Sequence, residues 1–306
     1  MDDDAPNTIS TACANCGKGE ENSIDLKACT ACKLVKYCNR ECQISHRPLH
    51  KKACKKRAAE LHDEELFKEP SPREDCPICF LPLPLDASKS VFKTCCGKLI
   101  CKGCIFAMRE EAHGRGGEVG LCAFCREPCS SSDEEDIRRM KKLMESDNAD
   151  AFLNFAGCYA RGVSGMPQDW SKANELLLKA GELGCATAYS KLGNSYHDGR
   201  GVGVDKKKAI HYWELAAMTG DVNARHNLAA MEVQAGNYDR AFKHFLLAAR
   251  AGDKTSLDKV KQGFMQGMVT KDEYANTLRA NQNIQDEMKS EDRDKALALD
   301  VLRQYL

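Results

Sequence analysis

The sequence predicts a multidomain protein in which two small zinc-stabilised modules precede an all-α helical-repeat solenoid. Sixteen potential metal ligands lie between residues 13 and 125, in pairs whose spacing is typical of metal binding. Cysteine is scarce after residue 149, where alanine, glycine and leucine become frequent. Small residues recur in this second part at intervals of 32 to 37 residues, a period typical of stacked helix pairs.

Composition limits the class of protein. A chain of 306 residues is long enough for two or three domains. Its 45 basic and 45 acidic residues give no net charge, which does not favour nucleic acid or a membrane surface as partner. The N-terminus MDDDAPNTIS lacks the basic start and apolar core of a signal peptide, and no apolar run reaches the length of about 18 residues needed to span a membrane. The eighteen cysteines therefore favour metal binding in a reducing compartment, the cytosol or the nucleus.

The first module, residues 13–54, follows a polar segment (1–12) that we expect to be disordered. It contains two CxxC pairs and two pairs of ligands spaced four residues apart, which share one face of a helix. His50 lies one helical turn before Cys54, so it is favoured over its competitor His46. A module of this size cannot bury a stabilising core, and eight ligands suffice for two tetrahedral zinc ions. The candidates are Cys13, Cys16, Cys29, Cys32, Cys38, Cys42, His50 and Cys54.

The segments CANC, CTACKLVKYCNREC and HKKAC resemble the MYND zinc finger, including Tyr37 and Gln43 beside the ligands. The family usually has a tryptophan after the sixth ligand, in a groove for proline-rich peptides, where this chain reads ISHRPL. The resemblance implies two interleaved zinc sites. One set is Cys13, Cys16, Cys38 and Cys42, and the other is Cys29, Cys32, His50 and Cys54.

Residues 55–72 are predicted to form a helix and a linker, which ends at Pro70 and Pro72 because proline cannot extend a helix. The central module, residues 73–128, then supplies eight more candidate ligands. Gly97 would permit the bend that the adjacent Cys95 and Cys96 need to share one ion. In the alternative, this pair belongs to the core and the module holds a single site. The candidates are Cys76, Cys79, Cys95, Cys96, Cys101, Cys104, Cys122 and Cys125.

The segments CPICFLPLPL, CCGKLICKGC and CAFCR resemble a RING finger of the all-cysteine kind, with Lys98 at the usual histidine position and Ala123 at that of a usual proline. The resemblance implies a cross-brace of two zinc sites. One would use Cys76, Cys79, Cys101 and Cys104, and the other Cys95, Cys96, Cys122 and Cys125. It also implies docking of a ubiquitin-conjugating enzyme at Ile78 and Arg126, with no catalytic residue in the chain itself.

The acidic segment 129–148 is predicted to be a linker and a helix that serine and aspartate cap at its start. Within residues 149–285, KLGNSYHDGRGVGVDKKKAIHYWELAAMTG resembles the Sel-1-like repeat, a relative of the tetratricopeptide repeat. Looser copies precede and follow it. Residues 286–306, with Ala296, Leu299, Leu302 and Leu306 at helical spacing, are predicted to form a terminal helix that covers the open face of the last repeat.

Two functions fit this organisation. In the first, the chain is a RING-type ubiquitin-protein ligase that positions a charged conjugating enzyme, while the repeats, together with the MYND-like finger, recruit a protein substrate. In the alternative, it is a non-catalytic, zinc-stabilised adaptor between proteins. Both require about four zinc ions and protein partners, with neither a membrane nor nucleic acid.

Overall fold

The computed structural model describes residues 11–19, 25–69, 73–114 and 120–304, with side chains up to residue 299. The predicted disordered segment lies outside these ranges except for residues 11 and 12, and so does the proline-rich end of the predicted linker, residues 70–72. The chain divides into two compact units, Met1–Lys68 and Glu69–Leu306. The second unit contains both the central zinc module and the repeats.

The first unit is built around a long helix and a short hairpin. Strand β1 (Lys27–Ala28) pairs antiparallel with β2 (Lys36–Tyr37), and helix α1 spans Arg40–Leu66. Asn39 begins α1 by accepting a hydrogen bond of 2.8 Å from the Cys42 amide. The helix continues without a break from the ligands of the first module through most of the predicted linker. The small core of this unit consists of Cys13, Leu26, Cys29, Cys32 and Tyr37.

The central zinc module opens the second unit. A short 3-10 turn (Ala87–Lys89) leads into strand β3 (Ser90–Lys93), which pairs antiparallel with β4 (Lys98–Cys101). Helix α2 (Lys102–Gly114) follows β4 directly. The core around them is small and half of it is cysteine: Cys76, Leu83, Ile100, Cys101, Ile105 and Cys122.

Helix α3 (Asp133–Glu145) connects this module to the repeats. Ser132 accepts a hydrogen bond from the Glu135 amide, which confirms the predicted serine cap. Met140 is buried, and Phe92 of β3 and Phe155 of the first repeat helix both belong to its hydrophobic cluster. The acidic segment therefore forms a helix over most of its length, and this helix packs against both the central zinc module and the first repeat.

Eight helices form the repeats and confirm the predicted solenoid. The period in the sequence corresponds to successive pairs of helices. Each pair is followed by a glycine with positive φ, where a side chain would be strained: Gly184 (96°), Gly220 (99°) and Gly252 (102°). The helices are α4 (Ala149–Arg161), α5 (Trp170–Glu182), α6 (Ala186–Asp198), α7 (Lys206–Met218), α8 (Val222–Gln234), α9 (Tyr238–Arg250), α10 (Lys254–Met265) and α11 (Lys271–Glu287). Thr270 and Glu273 form the predicted capping box at the start of α11.

The C-terminal helix α12 (Glu291–Gln304) corrects one expectation. Among the described residues it packs chiefly against α2 of the central zinc module and not over the last repeat. Ala296 is buried as predicted, whereas Leu299 is 40% exposed. The side chain of Leu302 and the whole of Leu306 lie outside the described residues. Within the part of the chain described here, no helix is long and apolar enough to cross a bilayer.

Candidate metal centres

The sixteen predicted ligands come together in four groups of four, in each of which the ligand atoms lie within 4.8 Å of one another. Each group interleaves two pairs that are distant in sequence. Site 1 comprises Cys13, Cys16, Cys38 and Cys42; site 2 comprises Cys29, Cys32, His50 and Cys54; site 3 comprises Cys76, Cys79, Cys101 and Cys104; site 4 comprises Cys95, Cys96, Cys122 and Cys125.

The spacing of the ligand atoms fits zinc. The sulfurs of Cys95 and Cys125 are 3.4 Å apart, and those of Cys79 and Cys101 are 3.9 Å apart. A tetrahedral ion with Zn–S bonds of about 2.3 Å holds neighbouring sulfurs about 3.8 Å apart. A disulfide would hold them at about 2.0 Å, and every cysteine of the chain is free. The donors are thiols and one imidazole, which are the ligands that zinc prefers.

The same turn is built at four CxxC pairs. In each, the amide of the residue after the second cysteine donates to the carbonyl of the first, over 2.9 to 3.0 Å. That residue adopts a left-handed conformation, which is costly for any residue other than glycine. It is Gly17 (φ 71°), Lys33 (φ 57°), Phe80 (φ 55°) or Arg126 (φ 64°). Three of the four turns therefore accept backbone strain to hold their cysteines.

These turns also set the charge of the thiols. Burial is the largest influence on the first cysteine of each pair and raises its pKa, but hydrogen bonds from backbone amides of the turn outweigh it. The pKa of Cys13 and of Cys29 falls to about 6, and that of Cys76 and of Cys122 to about 7. Each group thus offers a thiolate near neutral pH, the form of cysteine that binds metal.

The structure places His50, and not His46, in site 2. The Nε2 atom of His50 lies 3.2 Å from the Cys32 sulfur. The His46 ring stacks on that of His50 with a centroid distance of 5.7 Å, and its Nδ1 lies 3.1 Å from the hydroxyl oxygen of buried Tyr37. His46 and Tyr37 therefore hold the ligand histidine in place from one side.

Site 4 shows how adjacent cysteines can share one group. Gly97, directly after Cys96, has φ of 66°, the bend that the sequence predicted. A Cβ atom there would lie 2.7 Å from the Asn148 side-chain nitrogen, so a larger residue would also have to displace the Asn148 side chain. Asn148 in turn caps α4 by accepting a hydrogen bond of 2.8 Å from the Ala151 amide. Lys98, at the usual RING histidine position, is exposed and belongs to none of the groups.

The two candidate contacts for a conjugating enzyme lie on the turns of sites 3 and 4. Ile78 is half-buried against the core of the module, and Arg126 is exposed. Phe124, between the ligands of the last pair, is 43% exposed, whereas Ala123 is half-buried.

The remaining cysteines lie outside the four groups. Burial raises the pKa of Cys158, and it raises that of Cys185 to about 11. The Cys129 sulfur lies 4.0 Å from the Lys93 amine.

Arg293, a residue of α12, is a functional candidate that only the structure reveals. Its guanidinium lies 3.4 Å from the sulfur of Cys79 in site 3. No local pattern could reveal it, because the two residues are 214 positions apart.

Comparison with known families agrees with two of the three modules. The profile of the MYND finger matches residues 13–54. The profile of the Sel1 repeat matches residues 154–185, 186–221 and 225–253. The chain carries a MYND finger and three Sel1 repeats. Because the MYND finger is a zinc-binding module and four groups of zinc-type ligands are present, the cofactor is zinc, with sites for four ions. Residues 76–125 lie between the two matched regions.

Similar solved structures include a Sel1 repeat protein from Oxalobacter formigenes, with 23% identity and a TM-score of 0.45 over 60% of this chain and 71% of that one. The protective antigen c5321 of uropathogenic Escherichia coli has 22% identity and a TM-score of 0.45, over 51% of this chain and 35% of its own. The immunity protein PA5088 from Pseudomonas aeruginosa has 15% identity and a TM-score of 0.38, over 62% and 70%. No curated protein sequence matches the chain.

Proposed function

We propose that this protein is a zinc-stabilised adaptor whose repeats bind a segment of a partner protein. The observation that carries the proposal is the closed character of the four metal groups. Each has four protein ligands, which complete a tetrahedral ion and leave no position for water or substrate. Zinc of this kind contributes folding energy, on the order of 10 kcal/mol per ion in small modules, and performs no chemistry on a ligand.

The first helices of successive repeats offer a polar surface for such a segment. The Asn227 amide of α8 donates a hydrogen bond of 2.9 Å to Asn194 of α6. His226 of α8 lies 3.0 Å from the Ser256 hydroxyl of α10. Asn194, His226 and Asn227 are all half-exposed. Side-chain amides and imidazoles can donate to and accept from an extended peptide backbone, so these residues are suited to a protein ligand.

Peptide selection tests the adaptor. Random peptides displayed on phage are selected against the full-length, zinc-loaded chain, and the Kd of each enriched peptide is measured by fluorescence anisotropy. We expect Asn227→Ala to weaken binding roughly threefold to tenfold, as the loss of one hydrogen bond implies. Asn276→Ala, at an exposed position of α11, is the matched control and should leave the Kd unchanged. Enriched peptides that ignore Asn227→Ala would reject this surface.

Ubiquitin-protein ligase activity is a second candidate function. It is favoured by the interleaving of sites 3 and 4, which is the pairing that a RING cross-brace requires, and by Ile78 and Arg126 on the turns of those sites. In this reading the chain would hold the charged conjugating enzyme in a reactive pose, and catalysis would consist of positioning. The repeats would then recruit the protein that receives ubiquitin.

A self-ubiquitination assay separates the two functions. A ligase should modify itself with at least one member of a panel of conjugating enzymes, and both Ile78→Ala and Arg126→Ala should abolish the activity. Arg138→Ala, whose side chain is 79% exposed, is the matched control for loss of a surface cation. A wild-type chain that is inactive with the whole panel leaves the adaptor as the function.

The compartment follows from the same ligands. We propose that the protein works in the cytosol or the nucleus, because the cysteines of the four groups require a reducing environment to remain metal ligands. Fractionation of cells that express the tagged chain tests this assignment.

A further inference from the structure

The C-terminal helix makes a specific contact with site 3. Arg293, in the first turn of α12, directs its guanidinium into the first turn of the central zinc module. One terminal nitrogen donates to the Pro82 carbonyl over 2.9 Å and to the Met288 carbonyl over 2.8 Å. The other donates to the Leu81 carbonyl over 3.3 Å and to the Cys79 sulfur over 3.4 Å.

A glycine on the facing helix allows this approach. Gly103 of α2 lies between the site 3 ligands Cys101 and Cys104 and is buried. A Cβ atom at Gly103 would lie 2.7 Å from Arg293 Cγ and 2.8 Å from the Arg293 backbone nitrogen. The start of α12 is thus seated against the backbone of α2 at the third ligand pair. Any side chain at position 103 would displace it.

The charge of site 3 explains what a cation does there. Four thiolates and one Zn²⁺ carry a net charge of about −2, and Cys76 and Cys101 are fully buried. An arginine whose N–H groups point at a ligand sulfur offsets this charge, and it fixes the orientation of the ligand. The carbonyls of Leu81 and Pro82 hold the guanidinium in place, so its position is set by the same turn that holds Cys79.

We propose that Arg293 is a positioning residue for zinc at site 3 and that it holds α12 against the central zinc module. Loss of Arg293 should loosen both the metal and the helix. The proposal goes beyond the adaptor and ligase functions, and rests only on zinc binding at site 3. Rejection of either function would leave it standing.

Zinc release from the full-length chain tests the proposal. The wild-type protein is mixed with excess chromogenic chelator, and release of its four ions is followed in time. Substitution of an outer residue that orients a metal ligand typically costs ten- to a hundredfold in affinity. In Arg293→Ala we therefore expect one ion in four to leave about tenfold faster, and in Arg293→Lys a smaller acceleration, because lysine keeps the charge without the planar fork. Lys295→Ala, which removes an exposed cation from the same helix, is the matched control.

Hydrogen exchange supplies a second readout that does not depend on metal release. Deuterium uptake in residues 291–304 should rise in Arg293→Ala and in Gly103→Ala, but not in Gly114→Ala, where a Cβ atom meets nothing within 4 Å. Release of all four ions at the wild-type rate in Arg293→Ala would overturn the role of Arg293 at the metal. Unchanged protection of α12 in both Arg293→Ala and Gly103→Ala would overturn the claim that this contact holds α12 against the central zinc module.

Discussion

The second Sel1 repeat depends on a close contact between Gly193 of α6 and Trp213 of α7, and replacing this glycine by alanine is the sharpest test of the packing. A Cβ atom at Gly193 would lie 2.5 Å from Trp213 Cδ1 and 2.6 Å from Nε1. Ordinary carbon contacts are about 3.5 to 4.0 Å, so the indole must move by roughly 1 Å. Trp213 is only 3% exposed, and its N–H donates to the Ser190 carbonyl and the Asn194 side chain, so it has no free space to enter.

The magnitude follows from three contributions. Overpacking of a well-packed core costs about 1–3 kcal/mol. Displacement of the indole weakens a hydrogen bond worth about 1 kcal/mol. Alanine regains about 1 kcal/mol over glycine within a helix. We therefore expect Gly193→Ala to lower the free energy of unfolding by about 1–3 kcal/mol.

The assay is urea denaturation of the zinc-loaded chain, followed by tryptophan fluorescence. Both tryptophans, Trp170 and Trp213, lie in the repeats, so the signal reports the second unit alone. Gly203→Ala is the matched control, because a Cβ atom there meets nothing within 4 Å and its φ is not positive. A Gly193→Ala variant that is as stable as Gly203→Ala would show that Gly193 and Trp213 are not in close contact.

Three further predictions concern the metal sites. Gly97→Ala forces alanine into a left-handed conformation against Asn148 and should cost about 2–3 kcal/mol in urea denaturation, with zinc content falling from four ions toward three. Arg126→Gly should be about 1 kcal/mol more stable than Arg126→Ala in urea denaturation, because only glycine relieves the strained turn; equal stability would contradict the turn geometry. Zinc binding should weaken as pH falls, because protons compete with the metal for the most acidic thiol of each site, which has a pKa of about 6 or 7. A chelator titration from about pH 8 to pH 5 that shows constant affinity would contradict this.

Much of the fold could be predicted because its causes are local. The helix pairs end at Gly184, Gly220 and Gly252, in positions that demand positive φ. The repeat can therefore be recognised in the sequence from the spacing of these glycines. The four-residue spacing of His50 and Cys54 favoured the histidine that lies in site 2, because both residues lie on one face of α1.

The contacts that were not predicted are those between distant segments. Nothing near Arg293 in sequence indicates that its guanidinium meets Cys79, and an amphipathic pattern in α12 says which face is buried without saying what covers it. The same limit applies to the central zinc module, whose resemblance to a RING finger implied the grouping of its cysteines but does not distinguish an adaptor from a ligase. The distinction between the two functions depends on whether a ubiquitin-conjugating enzyme binds at Ile78 and Arg126.

The central claim is that all sixteen ligands form zinc sites, and the metal content of the purified chain tests it most directly. Elemental analysis of the full-length protein, corrected by amino-acid analysis, should give four zinc ions per chain. Cys96→Ser should reduce the content toward three, because it removes one of the two adjacent cysteines on which site 4 depends. A wild-type value of two would contradict the account, since it would remove one whole module from the metal-binding part of the protein.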